Sequence, residues 1–211
     1  MKRIANDQDL ARGVTLLLAL EPRFQPVVAA HGLPPLRLAP EGLHTLLQII
    51  TEQSISLKAA AAIWARIEAR VSPHDAAAIL AMTVEDYRAL GLNGAKARAF
   101  HGAARAVQSG QLDLAGLRQL TEAEARAALL ALPGVGPWTA EIYLMGALGE
   151  ADIFPAGDRA LQLAAHDLFH LRAIPEAKAL ARRARKWSPV RAVAARLLWR
   201  HYRAMRETAQ G

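Results

Sequence analysis

The sequence of 211 residues contains no cysteine, few aromatic residues and no long apolar run. The absence of cysteine excludes disulfides, thiolate zinc sites and cysteine-held iron–sulfur clusters. No stretch approaches the roughly 20 apolar residues that a membrane span needs. The first residues also lack the apolar segment of a secretion signal. We therefore expect a cytoplasmic protein that contacts no membrane.

Acidic residues are missing from one long segment: from Lys178 to Arg206 there are ten basic residues and no acidic one. The whole chain carries a formal net charge of +7. A positive field of this kind attracts nucleic acids and other phosphate-bearing partners. An arginine-rich composition without a function is the alternative, but the uneven distribution of the charge favours a phosphate partner.

Apolar side chains recur at helical spacing along nearly the whole chain, for example Leu43, Leu46, Leu47 and Ile50. No segment alternates as a strand does, so we predict an all-α protein. Thr83, Thr121 and the Ser188-Pro189 pair mark helix starts. About ten helices are expected, with two single turns among the predicted segments, at roughly 8–20, 24–31, 41–53, 57–70, 73–81, 84–90, 95–109, 122–131, 138–148, 159–169, 175–185 and 189–206.

A glycine turn separates two of these helices in the run Leu132-Pro133-Gly134-Val135-Gly136-Pro137-Trp138-Thr139-Ala140. Pro133 ends the first helix, and the two glycines allow positive φ and close approach of another backbone. The next helix points its free N–H groups back at the turn, which suits a bound phosphate. A tight turn that only joins two helices is the alternative for an isolated Gly-x-Gly.

An aspartate ends the loop Asp152-Ile153-Phe154-Pro155-Ala156-Gly157-Asp158, after which helical periodicity resumes. Asp158 can be a helix N-cap, a position that aspartate fills well. It can also be a catalytic carboxylate, and the two roles are compatible because capping fixes the side chain.

The glycine turn and this loop together resemble the helix–hairpin–helix (HhH-GPD) DNA glycosylase superfamily, in which a catalytic aspartate follows the hairpin. Three features narrow the resemblance to the 3-methyladenine DNA glycosylase II family. Trp138 stands where relatives with lyase activity have a lysine nucleophile, and the cysteines of the iron–sulfur branch are missing. Segments 50–60 and 187–199 are similar to two further motifs of this family, and the resemblance spans about residues 40–203.

The resemblance implies a two-lobed all-α fold with a cleft between the lobes, lacking the N-terminal β domain of larger members. Residues 42–150 would form the lobe with the hairpin. Residues 1–41 and 151–211 would form the second lobe, which carries the catalytic Asp158.

The resemblance also implies roles for individual residues. Trp138, Trp199 and Gln53 would bind the substrate base, although core packing is the commoner fate of tryptophan and Gln53 can equally be part of a polar helix face. Ser54 replaces a family glutamine and is a poor wedge for the gap left by a flipped base. No catalytic metal is expected, but a Na⁺ or K⁺ is implied at hairpin carbonyls near Leu132 and Val135. The implied DNA contacts are Leu132, Gly134, Val135, Gly136, Thr139 and Ser54.

These features predict a monofunctional DNA-3-methyladenine glycosylase of base excision repair, without cofactor. It would hydrolyse the N-glycosidic bond of N3- or N7-methylated bases flipped out of double-stranded DNA, acting as a monomer without lyase activity. Two alternatives stay open: a non-enzymatic helix–hairpin–helix DNA-binding protein, and a glycosylase for oxidised or deaminated purines.

Overall fold

The computed structural model describes residues 2–71 and 76–208, and within these ranges the secondary structure is helical. The one extended pairing among the described residues is an isolated bridge between Arg3 and Glu150. No helix in the described part is long and apolar enough to cross a membrane. The α-helices of the described residues are α1 (Asp7–Leu20), α2 (Gln25–His31), α3 (Leu43–Glu52), α4 (Leu57–Arg70), α5 (Ala76–Ala81), α6 (Val84–Ala89), α7 (Gly94–Gln108), α8 (Glu122–Leu130), α9 (Pro137–Gly146), α10 (Arg159–Leu168), α11 (Ala177–Ala184) and α12 (Arg191–Thr208).

The all-helical prediction is confirmed, and the helix starts show why the pattern was informative. Thr83 and Thr121 each form a full capping box, at the starts of α6 and α8. The predicted start of the fifth helix at residue 73 lies outside the described residues. The predicted cap at Ser188 is wrong: α12 begins at Arg191, and the Ser188 hydroxyl donates to Asp152 instead.

The chain divides into two compact units. Unit 1 is formed by Met1–Leu38 and Gly149–Gly211, and unit 2 by Ala39–Leu148.

In unit 2, α7 is the central helix, and it packs against α3, α5 and α6. Its buried face is made largely of alanine, including Ala99, Ala103 and Ala106, with Phe100 filling the space against Tyr87. Alanine favours the helix and leaves room for other backbones to approach closely. One consequence is that a turn can rest directly on α7, as described below.

In unit 1, the core is an aromatic cluster around the fully buried Trp187. The rings of Phe24, Phe154 and Phe169 lie 5.3–5.7 Å from the Trp187 ring, centroid to centroid. Such pairs add to the stabilisation that comes from burying apolar area. Phe154 belongs to the loop before α10, so this cluster anchors that loop in the core.

The N-terminal residues of unit 1 are tied to the segment that follows α9. The Ile4 N–H donates to the Gly149 carbonyl at 2.8 Å, and the Arg3 guanidinium pairs with Glu150. A Cβ on Gly149, whose φ is +71°, would lie 2.8 Å from the carbonyl oxygen of Ile4. Glycine is therefore required at this close approach.

Candidate functional site

The glycine turn of unit 2 lies between α8 and α9 and rests on α7. The Val135 N–H donates to the Leu132 carbonyl at 3.2 Å, which closes the turn. Gly134 has a φ of +80°, and a Cβ there would lie 2.5 Å from the Cβ of Ala99. Both the backbone conformation and the contact exclude a side chain at residue 134. Leu132 and Val135 are buried and hold the turn in place.

Gly136 is the N-cap of α9 and, unlike Gly134, lies where a side chain would fit. Its φ is −95°, which any residue can adopt, and no atom lies within 4 Å of the position that a Cβ would occupy. No side chain caps this end of α9, and Pro137 occupies its first turn. The first N–H groups of a helix have no partner inside the helix and carry partial positive charge. Neither the backbone angle nor a contact therefore requires glycine at residue 136, although glycine is a better N-cap than alanine.

A hydrogen-bonded brace connects the end of α3 to the glycine turn. The side-chain amide of Gln53 donates to the Gly134 carbonyl at 3.0 Å and to the Thr139 hydroxyl at 2.8 Å. Lys96 is 7% exposed, and its ammonium donates to the carbonyls of Thr51 and Gln53 at 2.8 and 2.7 Å. Burial lowers the pKa of Lys96. The brace fixes the position of Gln53 and gives it a structural partner within the unit.

Two other residues with implied roles lie beside this brace in unit 2. Ser54 is exposed and has a φ of +56°, directly after Gln53. Trp138 is half-buried in the first turn of α9. Thr139, which follows it, is buried and accepts the bond from Gln53.

In unit 1, Asp158 is the N-cap of α10. Its Oδ1 atom accepts from the Leu161 N–H at 3.1 Å and from the indole N–H of Trp199 at 3.2 Å. The backbone N–H of Asp158 donates to the Pro155 carbonyl at 2.8 Å. The carboxylate is therefore held by its own backbone, by the helix end and by a tryptophan 41 residues away in the chain. Asp158 and Trp199 are both half-buried.

The loop that leads to Asp158 is fastened by a second carboxylate, Asp152. The Arg191 guanidinium donates to both oxygens of Asp152 at 2.7 and 3.0 Å, and the Ser188 hydroxyl adds a bond of 2.8 Å. Burial raises the pKa of Asp152, but these donors and the charge of Arg191 outweigh it and lower the pKa overall. A carboxylate engaged in this way is a poor proton acceptor, so Asp152 is a structural residue.

Two further carboxylates lie near the sequence motifs. Glu141 pairs with Arg126 at 2.8 Å. Glu52 is half-buried, and burial raises its pKa. In the described part of the chain, no group of three or more histidine, aspartate or glutamate side chains could hold a metal ion.

The sequence motifs contain these candidate residues, but they do not predict the contacts between them. Gln53 is separated from Gly134 by 81 residues and from Thr139 by 86. No local pattern encodes such distant bonds. A buried lysine among carbonyls, such as Lys96, likewise gives no signal of its own in the periodicity.

Comparison with known proteins identifies a family for the chain. The model of the HhH-GPD superfamily of base excision DNA repair proteins matches residues 47–189, more than half of the chain. A probable bifunctional transcriptional activator and DNA repair enzyme of Mycobacterium tuberculosis is 49% identical over 76 residues. That match covers 36% of the chain but only 14% of the relative's own length.

Two relatives from Schizosaccharomyces pombe match almost end to end. An alkylbase DNA glycosidase-like protein is 26% identical over 93% of the chain and 95% of its own length. The solved structure of a 3-methyladenine DNA glycosylase in complex with abasic DNA superposes with a TM-score of 0.83 at 26% identity, over 89% of this chain and 95% of the other. The glycine turn, the aspartate at the start of α10 and these matches agree: the chain belongs to the HhH-GPD superfamily of base excision DNA repair proteins.

Proposed function

We propose that the protein is a monofunctional DNA glycosylase that removes alkylated bases, with 3-methyladenine and 7-methylguanine as first substrates. The observation that carries the proposal is the fixed carboxylate of Asp158 at the N-terminus of α10, bonded to Trp199. The names of the S. pombe relatives support alkylated bases as the substrate class.

The chemistry follows from the charge that develops when the base leaves. The bond between C1′ and the base nitrogen breaks, and its electron pair moves to the base. Positive charge then builds up on the deoxyribose, and a nearby carboxylate stabilises it. Water adds at C1′ and loses a proton, for which Asp158 is the general base. The products are a free base and an abasic sugar.

A base methylated on a ring nitrogen is cationic, which makes it a good leaving group without a general acid. In the loop that leads to Asp158, the carboxylate of Asp152 is already engaged by Arg191. Aromatic faces attract cations by about 0.5–2 kcal/mol. We assign Trp199 as a wall of the base pocket. Trp138 is our candidate for the same role in unit 2.

The glycine turn would hold the DNA backbone. Its open end at Gly136 offers main-chain N–H groups and the positive end of α9 to a phosphate. The neutral carbonyl oxygens of Leu132 and Val135 are the hard donors that a Na⁺ or K⁺ takes, and each carbonyl has two lone pairs. The Leu132 oxygen uses one of them for Val135. A cation bound there would add positive charge for a neighbouring phosphate.

Lyase activity is not part of the proposal. A lyase needs an amine nucleophile, and residue 138, where such relatives carry a lysine, is tryptophan. Borohydride trapping of the protein on abasic or methylated DNA is expected to give no covalent adduct. A trapped adduct would contradict this part of the proposal.

The decisive experiment compares the wild-type protein with Asp158→Asn on methylated duplex DNA. Asparagine caps a helix as well as aspartate does, so stability and DNA affinity should change little. Base release should fall by at least about 100-fold, because the carboxylate no longer stabilises the developing charge.

Equal base release by both proteins would remove Asp158 from the mechanism. Tight DNA binding without release from any methylated, oxidised or deaminated duplex would identify a DNA-binding module instead. Release of only oxidised or deaminated purines would overturn the choice of substrate class.

A further inference from the structure

The helix beneath the glycine turn continues into a second polar surface. A Cβ on Gly102 of α7 would lie 2.7 Å from Pro133 Cγ, so the start of the turn lies directly on this helix. Arg105 follows three residues later, which places it on the same side of α7 as Gly102. The guanidinium of Arg105 is therefore carried next to the turn by a rigid element.

Beside the turn, unit 2 contains an open cavity of about 450 Å³. The end of α7 and the loop after it contribute Arg105, Gln108, Ser109 and Gln111, and Pro133 with its neighbours forms the opposite wall. One positive charge among hydroxyl and amide groups matches a phosphodiester, which offers charged oxygens and no donor of its own.

Arg105 is exposed and has no ion-pair partner among the residues that the structure describes. From Tyr87 to Leu112 the sequence has no acidic residue, so the positive charge of this stretch is not compensated locally. By contrast, Arg88 on α6 pairs with Glu85 at 2.9 Å. Its charge is therefore already balanced.

We infer that this cavity is a second binding site for the DNA backbone, in which Arg105 holds a phosphate next to the one at the glycine turn. The inference rests on the proposed function, because it takes the turn to be a DNA contact. Contacts to phosphates carry no sequence information. The Arg105 site therefore strengthens binding to damaged and undamaged duplex alike.

The test measures the DNA affinity of the full chain against salt concentration, using a duplex with an abasic-site analogue and its undamaged counterpart. Each phosphate neutralised by a basic side chain contributes about 0.9 to the slope of log K against log salt. For Arg105→Gln the slope should be smaller by about 1. The loss of affinity between 50 and 200 mM salt should then be about 4-fold smaller than in the wild type. Arg105→Lys, which retains the charge, should keep the wild-type slope.

Arg88→Gln is the matched control, because it removes the same charge from an exposed but paired arginine, and its slope should equal that of the wild type. An unchanged slope for Arg105→Gln would overturn the inference. Equal decreases in both variants would overturn it too, since they would reflect net charge alone. A decrease in slope that appears only with abasic DNA would also overturn the inference. The same holds if the wild-type protein binds no DNA. A wild-type protein that binds DNA but releases no base would refute the glycosylase proposal while leaving the salt test valid.

Discussion

The glycine turn of unit 2 and the Asp158 corner of unit 1, formed by Asp158, Leu161 and Trp199, are built on opposite principles. The turn depends on what is absent, because residue 134 has no side chain and Ala99 beneath it has only a methyl group. The corner depends on what is present, because Asp158 is oriented by Leu161 and by Trp199. The first is a main-chain surface and the second a fixed side chain.

The comparison explains which substitutions each region should tolerate. A main-chain surface is sensitive to added volume and to the loss of positive φ. A fixed side chain is sensitive to the loss of hydrogen bonds, because a buried group left without its partner costs about 1–3 kcal/mol. Four variants test this contrast.

The largest effect on stability is expected for Gly134→Ala. The new Cβ would collide with Ala99 and force a strained φ, which together should lower the free energy of unfolding by about 3 kcal/mol. Gly136→Ala is the matched control, because residue 136 has an ordinary φ and open space around it. Chemical denaturation measures both.

The role of Gly136 should become visible in a DNA-binding assay rather than in a stability measurement. Gly136→Ala should lose at most about 1 kcal/mol of stability, since alanine is a poorer N-cap than glycine. It should bind DNA less tightly, because the methyl group would stand where we propose that a phosphate approaches the backbone. If Gly134→Ala is as stable as the wild type, the turn can rearrange to accept a side chain. If Gly136→Ala binds DNA as tightly as the wild type, the N-terminus of α9 does not bind DNA.

The second effect concerns the Asp152–Arg191 pair. Asp152→Asn should lower the free energy of unfolding at pH 7 by about 2 kcal/mol, since it weakens charged hydrogen bonds. Because folding lowers the pKa of Asp152, the stabilisation is present above its unfolded value of about 3.8 and is lost as the pH falls through the lower folded value. The difference between variant and wild type should therefore shrink in acid. A difference that stays constant down to pH 2 would refute this linkage.

The third effect tests the brace that joins α3 to the turn. Lys96→Met leaves the carbonyls of Thr51 and Gln53 without their donor. The cost should be about 1.5 kcal/mol, because removing a buried charge offsets part of it. Lys58→Met, at an exposed position, should leave thermal stability unchanged. DNA affinity should fall only for Lys96→Met, through the displaced Gln53.

The smallest effect on stability is expected for Trp199→Phe. Phenylalanine keeps an aromatic face but loses the bond from the indole N–H to Asp158 and part of the ring. Because residue 199 is half-buried, the cost should be about 1 kcal/mol. Base release should nevertheless fall several-fold, since the carboxylate is held less firmly. Trp187→Phe, in the aromatic core, should lower stability without changing the release rate of the folded protein. The same loss of release in both variants would mean that the Trp199 bond has no special role.

Much of the fold could be predicted because its signals are local. The threonines at the starts of α6 and α8 cap them through neighbours three residues away, and the glycines of the turn mark a break that the periodicity frames. The start of α12 could not be predicted. Ser188 stands before a proline as a helix cap would, but its hydroxyl donates to Asp152, which lies 36 residues earlier.

The site shows the same limit. The N-cap position of Asp158 could be predicted because aspartate stands directly before the point where helical periodicity resumes. The partner of Gln53 could not be identified, because a polar residue at the end of a helix fits a solvent-facing role equally well. Only the approach of α9 to α3 gives its amide the two acceptors seen here.

The close approach of Gly134 to Ala99 also has a consequence for the protein's evolution. The two positions share one small volume, so enlargement at one of them demands reduction at the other. In a library randomised at both sites, survivors should covary, and Ala99→Gly should partly rescue an alanine at 134. Residue 99 of α7 would then limit which substitutions the glycine turn accepts.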